Sequence, residues 1–132
     1  MISHNRQAII NYRLQQARET IALVGFLIDN NQLTLSVNRV YYGMYYALSA
    51  LAIRHQFETS KHAQLIGWFN KEFIATNKTD SKYGKILRNA YEKRTKGDYE
   101  VFVTFEKEEV ILMKTELEHF IEAIEKLLLN NY

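Results

Sequence analysis

The sequence predicts an all-α protein, folded as an antiparallel up-and-down bundle of four long helices plus one short helix. Proline is absent and only five glycines occur among 132 residues, so helices meet few residues that would break them. Apolar residues recur at three- and four-residue spacing in several separate stretches. Short polar segments join these stretches, and their apolar faces are buried most simply against one another.

Length and composition indicate a single domain that spans residues 1–132. The chain is 47% apolar and 24% charged, which is the balance of an ordinary globular protein. Cysteine is absent, which excludes disulfides, thiol catalysis and sulfur-ligated zinc sites. The net charge of +2 is far below that of a duplex-DNA binder, so any contact with nucleic acid is expected to be local.

No segment of the sequence predicts insertion into a membrane. The first seven residues are polar, and the apolar stretch at residues 21–28 is much too short to span a bilayer. We therefore expect a cytoplasmic protein with no membrane association.

The first two long helices are predicted from apolar residues on one face. In the first helix these are Ile10, Leu14, Ala17, Ile21, Val24 and Ile28, and in the second they are Val37, Val40, Tyr41, Met44, Leu48 and Leu51. Residues 29–31 are expected to end the first helix. Ser36 is the expected cap of the second, which fades near His55.

The remaining helices follow from the same spacing. Ser60 is the expected cap of a short helix, and Asp80 or Ser81 caps a fourth helix that Gly97 is placed to stop. Residues 101–105 are β-branched and aromatic, but no second strand pattern is present to pair with them, so we interpret them as an extended connector. The last helix is expected from about Thr104 to Leu129.

Basic residues concentrate near the end of the fourth helix. Tyr83, Leu87 and Ala90 lie on its apolar face, and the next position on that face is Arg94. Arg94 and Asp98 form a structural ion pair in the simpler interpretation. In the other, the guanidinium binds a phosphate in a cleft, because a charge on an apolar face needs a partner. The candidate ligand-binding residues are then Arg94, Asp98, Tyr99, Lys96 and Tyr91.

The second helix carries four tyrosines between residues 41 and 46, more than one inner face can accommodate. Tyr41 and Tyr45 are expected to pack in the core with their hydroxyls at its edge. Tyr42 and Tyr46 are candidates for a dimer surface, since clustered aromatics at helical spacing often mark an interface.

These residues resemble the HEPN domains, specifically the small stand-alone bacterial and archaeal kind. The resemblance rests on Tyr-Tyr-x-Met-Tyr-Tyr-Ala-Leu within residues 39–51, Lys61-His62 at the start of the next helix, and Arg94 with Gly97-Asp98-Tyr99. The order and spacing of these motifs cover nearly the whole chain. The resemblance implies a helical bundle, usually a homodimer, that often works with a minimal nucleotidyltransferase as a toxin and antitoxin pair.

Ribonucleases of that family carry a histidine a few residues after the arginine. Here residues 95–101 contain no histidine, and Tyr99 stands near the expected position. A phenol, with an ordinary pKa near ~10, is a poor general base at neutral pH. His62 can replace the missing histidine only if the fold brings it beside Arg94; otherwise it is a helix-start residue that bonds locally.

Three functions therefore remain open. The first is a nucleotide- or RNA-binding module that acts with a nucleotidyltransferase, in which Tyr99 is a candidate acceptor of a nucleotidyl group. The second is a metal-independent ribonuclease toxin that uses Arg94 with Tyr99 or His62. The third is an interaction module in which the tyrosine face only joins two chains. No cofactor is predicted. Glu116 and His119 have the spacing of a di-iron motif, but one copy does not make a metal site.

Overall fold

The computed structural model describes residues 3–130, and within that range it is helical with no β-strand. Its helices are α1 (His4–Asp29), α2 (Leu33–Arg54), α3 (His62–Phe69), α4 (Lys82–Tyr99) and α5 (Lys107–Leu129). A π-helical turn, Asn70–Ile74, extends α3. The predicted all-α bundle of four long helices and one short helix is confirmed.

Neighbouring long helices run antiparallel. The turn between α1 and α2 is only three residues long, which folds the two helices back against each other. Asp98 near the end of α4 lies beside Asn38 near the start of α2, so these helices also run in opposite directions. Lys93 of α4 pairs with Glu109 at the start of α5. The ends of α1 and α4 and the starts of α2 and α5 therefore meet at one end of the bundle.

The predicted apolar faces form the core. Ala17, Val24, Val37, Val40, Leu87, Leu117 and Ile124 are fully buried. Leu14 and Ile21 of the predicted α1 face are partly buried and pack against that core. This pattern is the expected result when four amphipathic helices each turn one face inward.

The predicted starts of α2 and α3 were wrong, because the residues expected to cap them do not precede the first helical turn. Helix α2 begins at Leu33, and the Ser36 hydroxyl donates to the Gln32 carbonyl inside the first turn. Lys61, not Ser60, precedes α3, with no side-chain cap. Asp80 does bond the first turn of α4, where its carboxylate accepts from the Lys82 amide.

The end of α4 and the start of α5 also differ from the prediction. Helix α4 continues through Gly97 to Tyr99. A Cβ at Gly97 would lie 3.2 Å from the Phe105 ring and 3.3 Å from Thr34, so the glycine permits close packing and does not stop the helix. Helix α5 begins at Lys107, not near Thr104, and the backbone of Glu106 just before it is extended. Of the expected extended connector at residues 101–105, residues 101–102 form a turn and residues 103–105 have no regular secondary structure.

Of the helices between residues 3 and 130, none combines the length and hydropathy that a bilayer crossing requires.

Candidate functional site

Arg94 reaches from α4 to α2, where two of its nitrogens find partners. Its Nη2 donates to the Tyr42 hydroxyl at 2.8 Å. Its Nε lies 2.9 Å from Asp98 Oδ2, an ion-pair distance, although that N–H does not point at the oxygen as in a hydrogen bond. The side chain is 15% exposed. Arg94 is thus mostly covered but reaches the surface.

Tyr42 lies between two guanidinium groups. The Arg94 guanidinium carbon is 5.2 Å from the Tyr42 ring centre, and that of Arg39 is 4.8 Å from it. Both are distances at which a cation is attracted to an aromatic face. Arg39 donates to the Asn38 amide oxygen, and the Asn38 amide nitrogen donates to both oxygens of Asp98 at 3.2 Å. The five side chains form one connected polar network.

Arg39 and Asn38 were not identified as site residues from the sequence. The spacing held a usable signal, because Asn38 and Arg39 precede Tyr42 by four and three residues and so share its side of the helix. What the sequence does not show is that Asp98, sixty residues away, lies at the same place.

The network leaves hydrogen-bonding capacity on Arg94. A guanidinium carries five N–H donors. One N–H bonds Tyr42, and the Nε N–H lies at ion-pair distance from Asp98 without a hydrogen bond to it, so three further N–H groups have no acceptor among residues 3–130. With two guanidiniums and one carboxylate, the network also has a net charge of +1. Both properties favour an anionic ligand.

His62 lies beside this network through Tyr41. The Tyr41 hydroxyl is 2.5 Å from His62 Nδ1, and the Tyr41 ring centre is 5.6 Å from the Arg94 guanidinium carbon. Tyr45 stacks on the imidazole at 4.7 Å. His62 therefore bonds across helices and does not bond locally, as the simpler interpretation expected. We call Asn38, Arg39, Tyr41, Tyr42, Tyr45, His62, Tyr91, Arg94 and Asp98 the Arg94 cluster.

The protonation of this pair follows from its surroundings. Burial raises the pKa of the Tyr41 phenol well above its ordinary range. Burial, and then the Arg94 charge, lower the pKa of His62 below its ordinary value. Tyr41 therefore keeps its proton and His62 is neutral at pH 7. The hydrogen bond between the Tyr41 hydroxyl and Nδ1 leaves Nε2 as the ring nitrogen of His62 without a partner among the described residues.

Of the other residues that the sequence predicted for the site, some lie in or beside the Arg94 cluster and others lie outside it. Tyr91 belongs to the cluster, with its ring centre 5.4 Å from that of Tyr41. Tyr46 is half-buried and its ring centre lies 6.4 Å from that of Tyr42. Lys96 is exposed, and Tyr99 is 76% exposed with no hydrogen bond or ring contact to the described residues. Lys96 and Tyr99 are therefore not among the described residues that contact Arg94.

Glu116 and His119 lie near each other on α5. Burial raises the pKa of Glu116, and the charges of Lys93 and His119 partly offset this effect. Within residues 3–130, no group of three or more His, Asp or Glu side chains is placed to hold a metal ion.

The arrangement of helices agrees with one family. The HEPN domain family matches residues 10–128 of the chain. The chain belongs to the HEPN family. Its resemblance to these domains, first indicated by the tyrosine helix and the Arg94 segment, is confirmed.

Individual relatives of this HEPN protein cover most of its length. It is 37% identical over 125 residues to a UPF0332 protein of Thermotoga maritima, which is 95% of each chain. Two proteins of Methanocaldococcus jannaschii, each named "Putative toxin", are more distant. One is 29% identical over 73% of this chain and 65% of the relative. The other is 28% identical over 87% and 85%.

Proposed function

We propose that this HEPN protein binds RNA, or a nucleotide, through the Arg94 cluster. The observation that carries the proposal is the partly paired Arg94, which has three N–H donors without a protein acceptor. A phosphate offers oxygens that pair with a guanidinium in the bidentate geometry that Arg favours. The surrounding net charge of +1 adds to this attraction.

Aromatic side chains next to Arg94 suit a single-stranded ligand. Tyr42, Tyr46 and Tyr91 are half-buried, so part of each ring is open to solvent. Unpaired bases stack on such rings, and each base contributes about 1–3 kcal/mol when measured by alanine substitution. The modest overall charge fits a short local contact better than a long duplex.

Binding of a fluorescein-labelled cytidine hexamer, measured by anisotropy at low salt, tests this function. We expect Arg94→Gln to abolish binding, because it removes the charge and the free donors. Arg88→Gln is the matched control, since Arg88 lies on the same helix but is exposed beside Glu92. Equal affinities of the two variants, or no binding by the wild-type protein, would contradict the proposal.

A ribonuclease that uses His62 is the second candidate, and the proximity of His62 to Arg94 favours it. A general base must present an unprotonated nitrogen to the 2′-hydroxyl. In this site Nδ1 is occupied by the Tyr41 hydroxyl, so Nε2 is the nitrogen that can meet a ligand, as a base or as a donor according to the tautomer. The absence of a histidine from residues 95–101, just after Arg94, favours binding over cleavage. Metal-independent cleavage of labelled RNA that His62→Gln abolishes would reverse this preference.

We also propose a homodimer. Large apolar side chains are exposed just after α4, where Val101 is 88% and Phe102 95% exposed. Ile111 and Leu112, in the first turns of α5, are exposed as well. Exposed apolar groups of this kind are typical of protein interfaces. Light scattering should give twice the monomer mass, and a monomer would contradict this part. A dimer that binds no RNA would instead be an interaction module.

The partner that we propose is a nucleotidyltransferase, in a toxin–antitoxin-like or defence system. The toxin names of two relatives support this setting. Tyr99 is exposed enough for a second enzyme to reach. Its phenol oxygen would bond the α-phosphorus of a nucleoside triphosphate, with release of pyrophosphate and the phenol proton. Mass spectrometry after co-expression should show the added nucleotide on Tyr99, and its absence from wild-type protein would contradict this step.

A further inference from the structure

A solvent-facing row of side chains continues along α2 away from the Arg94 cluster. Its members, Asn38, Tyr42, Tyr45, Ser49 and Ile53, are spaced three or four residues apart, so they share one side of the helix. All five are half-buried. The row connects the cluster to a cavity at the far end of the helix.

That cavity has a volume of about 210 Å³ and lies between α1, α2 and the loop before α3. Its polar lining includes Arg13, Tyr45, Ser49, Glu58 and Thr59. Tyr45 lines the cavity and also stacks on His62, so the two sites share a wall.

Arg13 is the cationic group of the cavity, and its pairing is incomplete. Its Nη1 donates to the Gln16 amide oxygen at 2.8 Å, while its buried Nε has no hydrogen-bond partner. No carboxylate between residues 3 and 130 forms an ion pair with it. A guanidinium that no carboxylate neutralises can pair with an anionic group that enters the cavity.

The spacing of the two sites suits a strand of RNA. Tyr42 contacts Arg94, and Ser49 lines the Arg13 cavity, seven residues further along α2. At about 1.5 Å per residue, this separation is about 10 Å. A strand laid along this row would therefore pass both sites within a few nucleotides.

We propose that Arg13 binds a second phosphate of the same RNA strand, a few nucleotides from the phosphate at Arg94. This inference rests on the proposed function. Glu58 in the same cavity cannot bind a phosphate, but its carboxylate accepts a hydrogen bond from the exocyclic amino group of a base such as cytosine. The cavity therefore takes a nucleotide that carries both groups and disfavours uracil.

Anisotropy with labelled cytidine oligomers of two lengths tests the second subsite. Arg13→Gln should weaken binding of a hexamer about tenfold, the effect of one charged hydrogen bond, and leave a dinucleotide unchanged. The magnitude of the salt dependence for the hexamer should fall by about 0.7, the value for one phosphate on a single strand. Arg18→Gln is the matched control, because Arg18 is on α1 but pairs with Glu125.

The outcomes separate the two proposals. If Arg94→Gln abolishes hexamer binding while Arg13→Gln behaves like Arg18→Gln, the second subsite is wrong and the proposed function stands. If the wild-type protein binds no hexamer, both are wrong.

A second variant avoids dependence on the folding of Arg13→Gln. Glu58 is exposed, so Glu58→Gln should fold normally. The wild-type protein should bind the cytidine hexamer more tightly than a uridine hexamer, and Glu58→Gln should reduce that preference. Equal binding of the two hexamers by the wild-type protein would overturn the placement of a base in the cavity.

Discussion

Substitution of Gly43 by alanine tests how tightly the tyrosine helix is fixed against its neighbours. Gly43 is buried in α2, next to Tyr42 in the sequence. A Cβ there would lie 2.8 Å and 3.1 Å from the two methyl carbons of Leu117 and 3.1 Å from the methyl carbon of Thr20. Leu117 is fully buried, so its movement would disturb the core.

Two opposing contributions set how much Gly43→Ala changes the free energy of unfolding. Alanine is favoured over glycine inside a helix by about 1 kcal/mol. Overpacking of a close-packed core costs about 1–3 kcal/mol. Gly67 on α3 isolates the second contribution, because a Cβ there would meet no atom within 4 Å. The Gly67→Ala protein should gain about 1 kcal/mol, and Gly43→Ala should be about 1–3 kcal/mol less stable than Gly67→Ala.

Urea unfolding of both variants and the wild-type protein gives these differences directly. The helix-propensity gain is similar at the two positions, so it cancels when the variants are compared with each other. If Gly43→Ala proved as stable as Gly67→Ala, the close approach of α2 to Leu117 would be refuted.

Three further changes probe the charged and polar groups. The folded-state pKa of His62 lies below 6.5, so the unfolded chain binds that proton more readily than the folded protein. The free energy of unfolding should therefore fall as the pH drops through 6.5. In His62→Gln, the midpoint of urea unfolding should depend less on pH. The raised pKa of Glu116 has the opposite sign, so Glu116→Gln should be more stable at pH 7 in thermal unfolding, with the difference shrinking toward pH 4.5. Tyr42→Phe should lose about 1–2 kcal/mol in urea, whereas Tyr46→Phe, whose hydroxyl has no hydrogen bond within residues 3–130, should lose almost nothing.

The periodic apolar residues were sufficient to predict the number and order of the helices. Side chains such as Val24, Leu87 and Leu117 lie in the core because burial of a helix face is set by spacing alone. Helix boundaries were predicted less well, since they depend on tertiary packing. Gly97 illustrates this, because its lack of a side chain makes room for Phe105 and Thr34 and leaves the helix intact.

The candidate site was predicted in part. Arg94 stood out because a charged residue occupied an apolar helix face, a pattern that local propensity alone does not explain. The roles of Asn38 and Arg39 depended on contacts between α2 and α4, which one helix cannot reveal. The proximity of His62 to Arg94 likewise depended on how α3 docks against Tyr41.

The partial pairing of Arg94 has a physical consequence for function. The Asp98 carboxylate and the Tyr42 hydroxyl give the guanidinium enough partners for the side chain to be mostly buried. The Tyr42 ring beside it helps to hold it in one place. If Asp98 also accepted a well-aligned hydrogen bond from Nε and a second carboxylate took the remaining donors, no anion could compete for them. Because those donors have no protein acceptor, a phosphate can pair with them without displacing a protein group. Arg94 is therefore held in place by the bundle and remains available to an anion.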